Sequence, residues 1–328
     1  KTQLLADSEL NETIIRSFQS DRPNNSYLDQ VIIENLWLNG GNNEVCGIKL
    51  SGFNRGCVIR DIYMTHINGP AINIAASWSF SIERVNIHGV NKQFRGIVLG
   101  DHTTNEGYND YYEVNQARIN GCVVRHCSVG IDYRAGKMVD INGNTLELND
   151  TDISFQGVQS LNISENYLEG ATNRSISCGG TTLASSPNSV RIVNNYFDSP
   201  EAIYEIFINS LFNSVVKNNR FRNNNNHIYF RTGSESLISN NQLSFPDSDR
   251  IGNASVIDAS KNTLFAENAN RYTNILTRDM SVERDLRITR NVGFYGEPPR
   301  AKQTVSGTTT DEKLNSLIAA LQHYGLID

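Results

Sequence analysis

No run of apolar residues approaches the ~18 needed to cross a bilayer as a helix, so membrane insertion is not expected. Positive charge is not in excess either: Lys+Arg 29 against Asp+Glu 35 gives net −6, and there is no basic block. Nucleic acid is therefore not an expected partner. Cysteine is scarce and odd in number, and Cys46, Cys57, Cys122, Cys127 and Cys178 lack the paired spacing of zinc sites. Free buried thiols are the expectation, which suits assembly in a reducing cytoplasm. There is no P-loop, no Gly-x-Ser-x-Gly and no His-Glu-x-x-His. There is also no signal peptide, and residue 1 is Lys rather than Met, so a fragment or processed chain is expected.

What the sequence does hold is asparagine. With 42 Asn against 24 Gly and 7 Pro in 328 residues, the turns must be carried mainly by Asn, which tolerates left-handed backbone. A short phrase recurs: Ile33-Glu34-Asn35-Leu36, Ile59-Arg60-Asp61-Ile62, Ile82-Glu83-Arg84-Val85, Ile119-Asn120-Gly121-Cys122 and Ile141-Asn142-Gly143-Asn144. It continues at Ile163, Ile192, Val216 and Ile238, with leading residues separated by 26, 23, 37, 22, 22, 29, 24 and 22. A second phrase follows within each repeat, as in Gly47-Ile48-Lys49-Leu50, Gly96-Ile97-Val98-Leu99, Gly130-Ile131-Asp132-Tyr133, Asp152-Ile153-Ser154-Phe155 and His227-Ile228-Tyr229-Phe230.

Two or three β phrases per ~22 residues fit one coil of a solenoid, whereas helical repeats need a 3.6-residue apolar period that is missing. Asn144, Asn166, Asn195, Asn219, Asn241 and Asn262 each stand two residues before an apolar residue, and stacked coil on coil they would form an amide ladder. The expected fold is all-β, a right-handed single-stranded parallel β-helix of about ten coils. Its expected layout is a lead-in over 1–30, the β-helix over 31–270, terminal strands and a turn-rich exit over 271–300, and a linker with a short amphipathic helix over 301–328. The helix is read at Asp311–Tyr324 from Leu314, Leu317, Ile318 and Leu321. Two coils carry insertions, Asp101–Glu113 and a stretch within Ala171–Ser189, and loops inserted in a solenoid are where binding work concentrates.

The ending reads Val292-Gly293-Phe294-Tyr295-Gly296, then Lys302-Gln303-Thr304-Val305-Ser306-Gly307, Leu314–Leu321 and Gly325-Leu326-Ile327-Asp328. With the Asn-rich solenoid, it resembles phage tailspike and appendage proteins, especially the pre-neck appendages of short-tailed Bacillus phages, in the pectate-lyase-like superfamily. The resemblance implies a homotrimer on the virion, in contact with other virion proteins and assembled in the host cytoplasm. It implies an adsorption protein that binds, and often cleaves, a bacterial surface polysaccharide or teichoic acid. It also implies a C-terminal domain that can cut itself off after an Asp, which an end at Asp328 would match as well as an arbitrary boundary would. The site patterns of polygalacturonases and pectate lyases are missing from the chain.

Registering the coils gives the chemistry. The residue after the apolar position that closes the first phrase should point outward: His88, Arg125, Glu147, Glu169, Asp198 and Arg222, with Thr65 before and Ser244 after. Coils stack ~4.8 Å apart, so three carboxylates would stand in one column between two arginines. Like charges at that spacing repel, and a repelled carboxyl that keeps its proton is a prepared general acid. Glu147, Glu169 and Asp198 are the candidate catalytic residues, since adjacent coils suit the ~5–5.5 Å carboxyl spacing of retaining glycosidases and two coils the ~6.5–9.5 Å of inverting ones. Arg125 and Arg222, with His88, would hold an anionic sugar or phosphodiester. The alternative is a solvated charge ladder with no substrate.

A second candidate cluster joins Asp101, His102, Glu106, Asp110 and Glu113 to outward Asp132 and Arg134, with Tyr108, Tyr111 and Tyr112 as aromatic surfaces. No metal site or cofactor is expected, apart from an optional structural divalent cation. Three functions fit the sequence: a depolymerase, a binding-only adsorption protein and a structural shaft.

Overall fold

A computed structural model describes residues 2–6, 10, 13–17, 27–41, 45–89, 91–100, 113–179, 186–222, 227–231, 233–234, 236–243, 255–258, 264–266, 274–277 and 309–323. The chain divides into two compact units, Lys1–Asp279 and Met280–Asp328.

The repeat of the first unit rests on a left-handed residue that recurs at the same corner of each coil. The third residue of the phrase has positive φ in all nine coils: Asn35, Asp61, Arg84, Gly121, Gly143, Glu165, Asn194, Asn218 and Asn240 lie between 51° and 63°. That conformation turns the chain sharply, and Asn, Asp and Gly reach it at least cost. On one side of the turn the phrase's Ile points inward, as Ile163 does in Asn162–Ser164. On the other side the next apolar residue does so, as Leu168 does in Tyr167–Glu169.

Repetition of this unit builds three long parallel sheets. Sheet one has ten strands from Thr2–Leu5 to Gln242–Leu243, sheet two has eleven from Thr13–Arg16 to Asn274–Thr277, and sheet three has ten from Ile32–Glu34 to Leu264–Ala266. Each strand pairs in parallel with its equivalent in the next coil, so Ile119, Ile141, Ile163 and Ile192 stack in sheet three and Ile131, Ile153, Ile176 and Ile206 stack in sheet two. Both columns are fully buried. This is the expected right-handed parallel β-helix. Pairing starts earlier than the expected boundary at residue 31, because Thr2–Leu5 aligns with Leu36–Asn39 and Thr13–Arg16 with the Cys46 strand. The phrase with a left-handed third residue begins only at Ile33, so the first coil carries no repeat signal. All five cysteines are free and buried, and burial raises the thiols of Cys46, Cys122 and Cys127 to about 12.

The asparagine ladder forms over five coils. Asn144, Asn166, Asn195, Asn219 and Asn241 are each no more than 1% exposed. The Asn166 Oδ1 accepts from both the backbone N–H and the Nδ2 of Asn144, each at 3.0 Å, and Asn195 does the same for Asn166. The second Nδ2 hydrogen of Asn166 goes to the Ile141 carbonyl at 3.0 Å. Each amide thus satisfies groups that the turn leaves without a sheet partner. Asn262 lies outside the described residues.

A second buried polar line runs inside the corner between sheets one and two. Its position precedes the first inward Ile of each sheet-two strand, and successive coils place Gly130, Asp152, Ser175, Glu205 and His227 there. The glycine is required by close approach, since a Cβ at Gly130 would stand 2.7 Å from the Asp152 carbonyl. Asp152 and Glu205 are fully buried, and desolvation pushes both carboxyls well above the ordinary range. The Asn149 Nδ2 donates to Asp152 Oδ1 at 2.9 Å, and the Ser175 hydroxyl donates to Ser199 Oγ at 2.9 Å.

In the second unit a helix spans Thr310–His323, within one residue of the expected Asp311–Tyr324. It opens on a capping box: the Glu312 N–H donates to Thr309 Oγ1 at 3.3 Å, and the Thr309 N–H donates to Glu312 Oε2 at 3.0 Å. Leu314, Leu317 and Ile318 are exposed along one stripe. Among the described residues no helix is long and apolar enough to cross a membrane.

Two measurements test these assignments. Asn166→Leu orphans two buried donors of Asn144 and is expected to cost about 3 kcal/mol in urea unfolding, whereas Asn173→Leu at an exposed corner should stay within ~0.5 kcal/mol. Asp152 and Glu205 keep protons in the fold that the unfolded chain releases at its ordinary 3.8 and 4.5. Their contribution is complete below those values and is lost as pH rises toward the folded ones, so the thermal midpoint should fall from about pH 4 upward. Asp152→Asn combined with Glu205→Gln should flatten that slope, and an unchanged slope would remove the buried acids as its cause.

Candidate functional site

Sheet one presents two outward columns, because alternate residues of a strand share a face. The first is the predicted one. Thr65 pairs with His88, His88 with Arg125, Arg125 with Glu147, Glu147 with Glu169, and Glu169 with Asp198. Arg222 follows in the next coil, its Nη1 3.8 Å from Asp198 Oδ2. Ser244 lies outside the described residues. The three carboxylates and two arginines therefore stand in one line, in the order the sequence required.

The second column, two residues earlier in each strand, was not singled out from the sequence. It holds Asn86, Val123, Thr145, Tyr167, Tyr196 and Arg220. Its signal was available in the triplets Tyr167-Leu168-Glu169, Tyr196-Phe197-Asp198 and Arg220-Phe221-Arg222. Tyr167 and Tyr196 stack at 5.3 Å with planes 10° apart, and the Arg220 guanidinium lies 5.6 Å from the Tyr196 ring centroid. Their facing ring planes cover each other, and the Tyr196 hydroxyl accepts from Arg222 Nη1 at 3.4 Å. Burial and a hydrogen bond to Glu169 raise the Tyr167 hydroxyl to about 12, so it stays a donor throughout the neutral range.

Electrostatics along the face alternates in sign. Toward the N-terminal coils are His88 and Arg125, then Glu147, Glu169 and Asp198, and then Arg220 and Arg222. Arg125 Nη1 is 4.0 Å from Glu147 Oε2, a loose contact. The outer carboxylates lean on arginines of the adjacent coils, while Glu169 between them is held by its own strand's tyrosine.

The second predicted cluster is not assembled as expected. Asp101, His102, Glu106 and Asp110 lie outside the described residues. Asp132 is outward in register, between inward Ile131 and Tyr133, yet it is only 5% exposed. Its Oδ2 accepts from Arg134 Nε at 2.9 Å and lies 3.3 Å from Arg95 Nη1. The correction is that Asp132 and Arg134 neutralise each other beneath the surface instead of offering charges to a ligand. Among the described residues, no group of three His, Cys, Asp or Glu side chains is gathered to hold a metal ion.

Known structures resemble this geometry at the level of the fold. The Dettilon tailspike protein superposes with a TM-score of 0.54 at 13% identity, over 84% of this chain and 60% of that one. This chain thus spans less than two thirds of that tailspike. A mutant DFA-IIIase from Arthrobacter chlorophenolicus A6 superposes at 0.52 with 13% identity, over 79% of this chain and 72% of that one. A mutant of the same enzyme in complex with DFA-III superposes at 0.51 with 13% identity over the same shares. At such identity the likeness shows the parallel β-helix and nothing finer. No protein family and no curated protein matches the sequence.

Stability separates structural charges from site charges. Asp132→Ala leaves two partly buried guanidinium groups facing each other and should cost about 3 kcal/mol in chemical unfolding. Glu147→Gln and Glu169→Gln on the half-exposed face should each cost less than ~1 kcal/mol. The reverse ranking would make the carboxylate column a folding element.

Proposed function

We propose that this chain is the β-helical part of a phage tailspike or pre-neck appendage that binds and hydrolyses a bacterial surface polysaccharide or teichoic acid during adsorption. The observation that carries this reading is the in-register column Glu147, Glu169 and Asp198, bracketed by Arg125 and Arg222 and lined by Tyr167 and Tyr196. The tailspike among the structural neighbours supports the virion setting, and the DFA-IIIase structure with DFA-III is a protein of this fold in complex with its ligand. The exposed Leu314–Leu317–Ile318 stripe on a short helix supports assembly with copies of itself, as in a homotrimer beside other virion proteins. A helix of this length is marginal alone in water. No cofactor enters the reaction proposed below.

In this reading Glu169 donates a proton to the leaving oxygen, with Tyr167 fixing its carboxyl. Glu147, one coil away at ~4.8 Å, attacks the anomeric carbon as the glycosidic bond breaks, and water then frees the sugar from Glu147; in the alternative, Glu147 and Asp198, two coils apart, are the pair, one protonating the leaving oxygen while the other activates water. The first geometry gives retention and the second inversion. Arg125, Arg220 and Arg222 hold anionic groups of the polymer on either side. The binding-only reading is favoured by one observation, the pairing of Glu147 and Asp198 with arginines: carboxylates neutralised in that way can serve recognition alone.

Incubation of the purified chain with Gram-positive wall teichoic acid and capsule, followed by mass analysis of released fragments, tests the proposal. Fragments should appear with the native chain and fall at least about a hundredfold in rate in Glu169→Gln and Glu147→Gln with binding kept. Fragments undiminished in both variants would sink the carboxylate column as the site. Tight retention on walls without any fragments would make the chain an adhesin.

A further inference from the structure

The N-terminal end of the outward face holds two imidazoles to which the proposed hydrolysis gives no part, beside Arg125, which it uses only to hold the polymer. His88 stacks on His126 with centroids 4.9 Å apart and planes 22° apart, and Arg125 is its neighbour in register. The guanidinium of Arg125 makes one long contact, 4.0 Å to Glu147, and its buried Nε has no hydrogen-bond partner among the described residues. No hydrogen bond is formed by the His88 or His126 rings among the described residues. Three half-buried groups with nitrogen donors thus converge, scarcely committed to the protein, one coil from the first carboxylate.

We infer that His88, His126 and Arg125 form an oxyanion-binding subsite that takes a charged group of the polymer, completed when the histidines are protonated. The groups facing the imidazole pair argue for an anion. In the adjacent coils these are His66, just past its strand, and Arg125, and Glu147 lies beyond Arg125. From the corner following His88, Lys92 donates its backbone N–H to the His126 carbonyl but sends its ammonium to Asp150 at 3.3 Å. Burial, then His126, Arg125 and His66, hold His88 below its ordinary value. An anion between the rings and Arg125 offsets that repulsion and draws protons in. Arg222 stands four coils further on, about 19 Å along the sheet, which suits a polymer with anionic groups at both ends of a segment whose middle lies over the carboxylates.

This subsite deepens the glycan-facing reading and depends on it only for the polymer, because anion binding is measured without turnover. Loss of fragments with anion binding intact would end the hydrolase reading alone. The probe is sulfate, whose charge is constant between about pH 5.5 and about pH 8, titrated into the native chain by calorimetry. Affinity should be at least about tenfold higher at the lower pH, equivalent to one pKa unit of linkage, and runs in two buffers should show proton uptake on binding. His88→Gln with His126→Gln should reduce the pH effect to less than about twofold, whereas Arg125→Gln should weaken binding at both pH values. Binding with no pH dependence or proton uptake in the native chain, or unchanged in the His double variant, overturns the proposal. Competition then names the polymer group. Displacement of sulfate by dimethyl phosphate marks a phosphodiester and displacement by glucuronate a carboxylate, while displacement by neither overturns the polymer assignment.

Discussion

A left-handed residue at one fixed corner of each coil, followed by a position that must be either apolar or amide, sets everything else in the solenoid. Period-two strands have no tolerance for a slipped register, because a shift of one residue would turn the inward Ile column to solvent and the outward charges into the core. The positive-φ residue fixes where each sheet-one strand begins, and from Asn144 to Asn241 the stacked amides lock neighbouring coils at that point. The lock is directional: each side chain accepts from the coil before it while donating back to a carbonyl there, so no coil can slide without orphaning buried donors.

The outward column is a consequence of that lock. Glu147, Glu169 and Asp198 are separated by 22 and 29 residues in the chain, yet the same corner precedes each, so the inserted residues leave the column undisturbed. The solenoid thereby decouples loop length from site geometry. Among the described residues, the Arg125–Glu147 and Arg222–Asp198 ion pairs of the face join side chains of adjacent coils. A half-exposed row of alternating sign tolerates exchange of one side chain much better than the buried Arg95–Asp132–Arg134 cluster would.

This arrangement also explains what the sequence revealed. Coil period, the two strand phrases, the amide ladder and the order of the charged column were all legible, because each depends on spacing from a repeated corner. The first coil was not, since Thr2–Leu5 and Thr13–Arg16 join the sheets without the phrase that marks later coils. Asp132 was placed correctly in register and wrongly in exposure: register says which way a side chain points, not what lies over it. The buried acids were hidden by their own repeat. Gly47, Gly96 and Gly130 lead the second phrase where Asp152 and His227 do later, and an apolar-facing position first filled by glycine reads as a turn instead of an interior slot.

The two polar lines of the structure call for opposite physics, and their separation is what allows the site to exist. Inside the corner, Asp152 and Glu205 are tolerated because desolvation keeps them protonated and so uncharged. Outside, Glu147 and Asp198 face arginines and Glu169 faces Tyr167, so the carboxyl groups are at hand for binding and proton transfer. Had the acids of the outer column occupied the inner position, they would carry no charge at neutral pH; had the inner acids stood outside, the corner would gain surface charge and lose its buried polar line. The backbone alternates the two environments every residue, and placing Glu at position 169 and Ile at 163 is enough to choose between them. Chemistry on a parallel β-helix of this kind is therefore a matter of which side of the pleat a residue occupies, and the corner residue makes that choice for each coil.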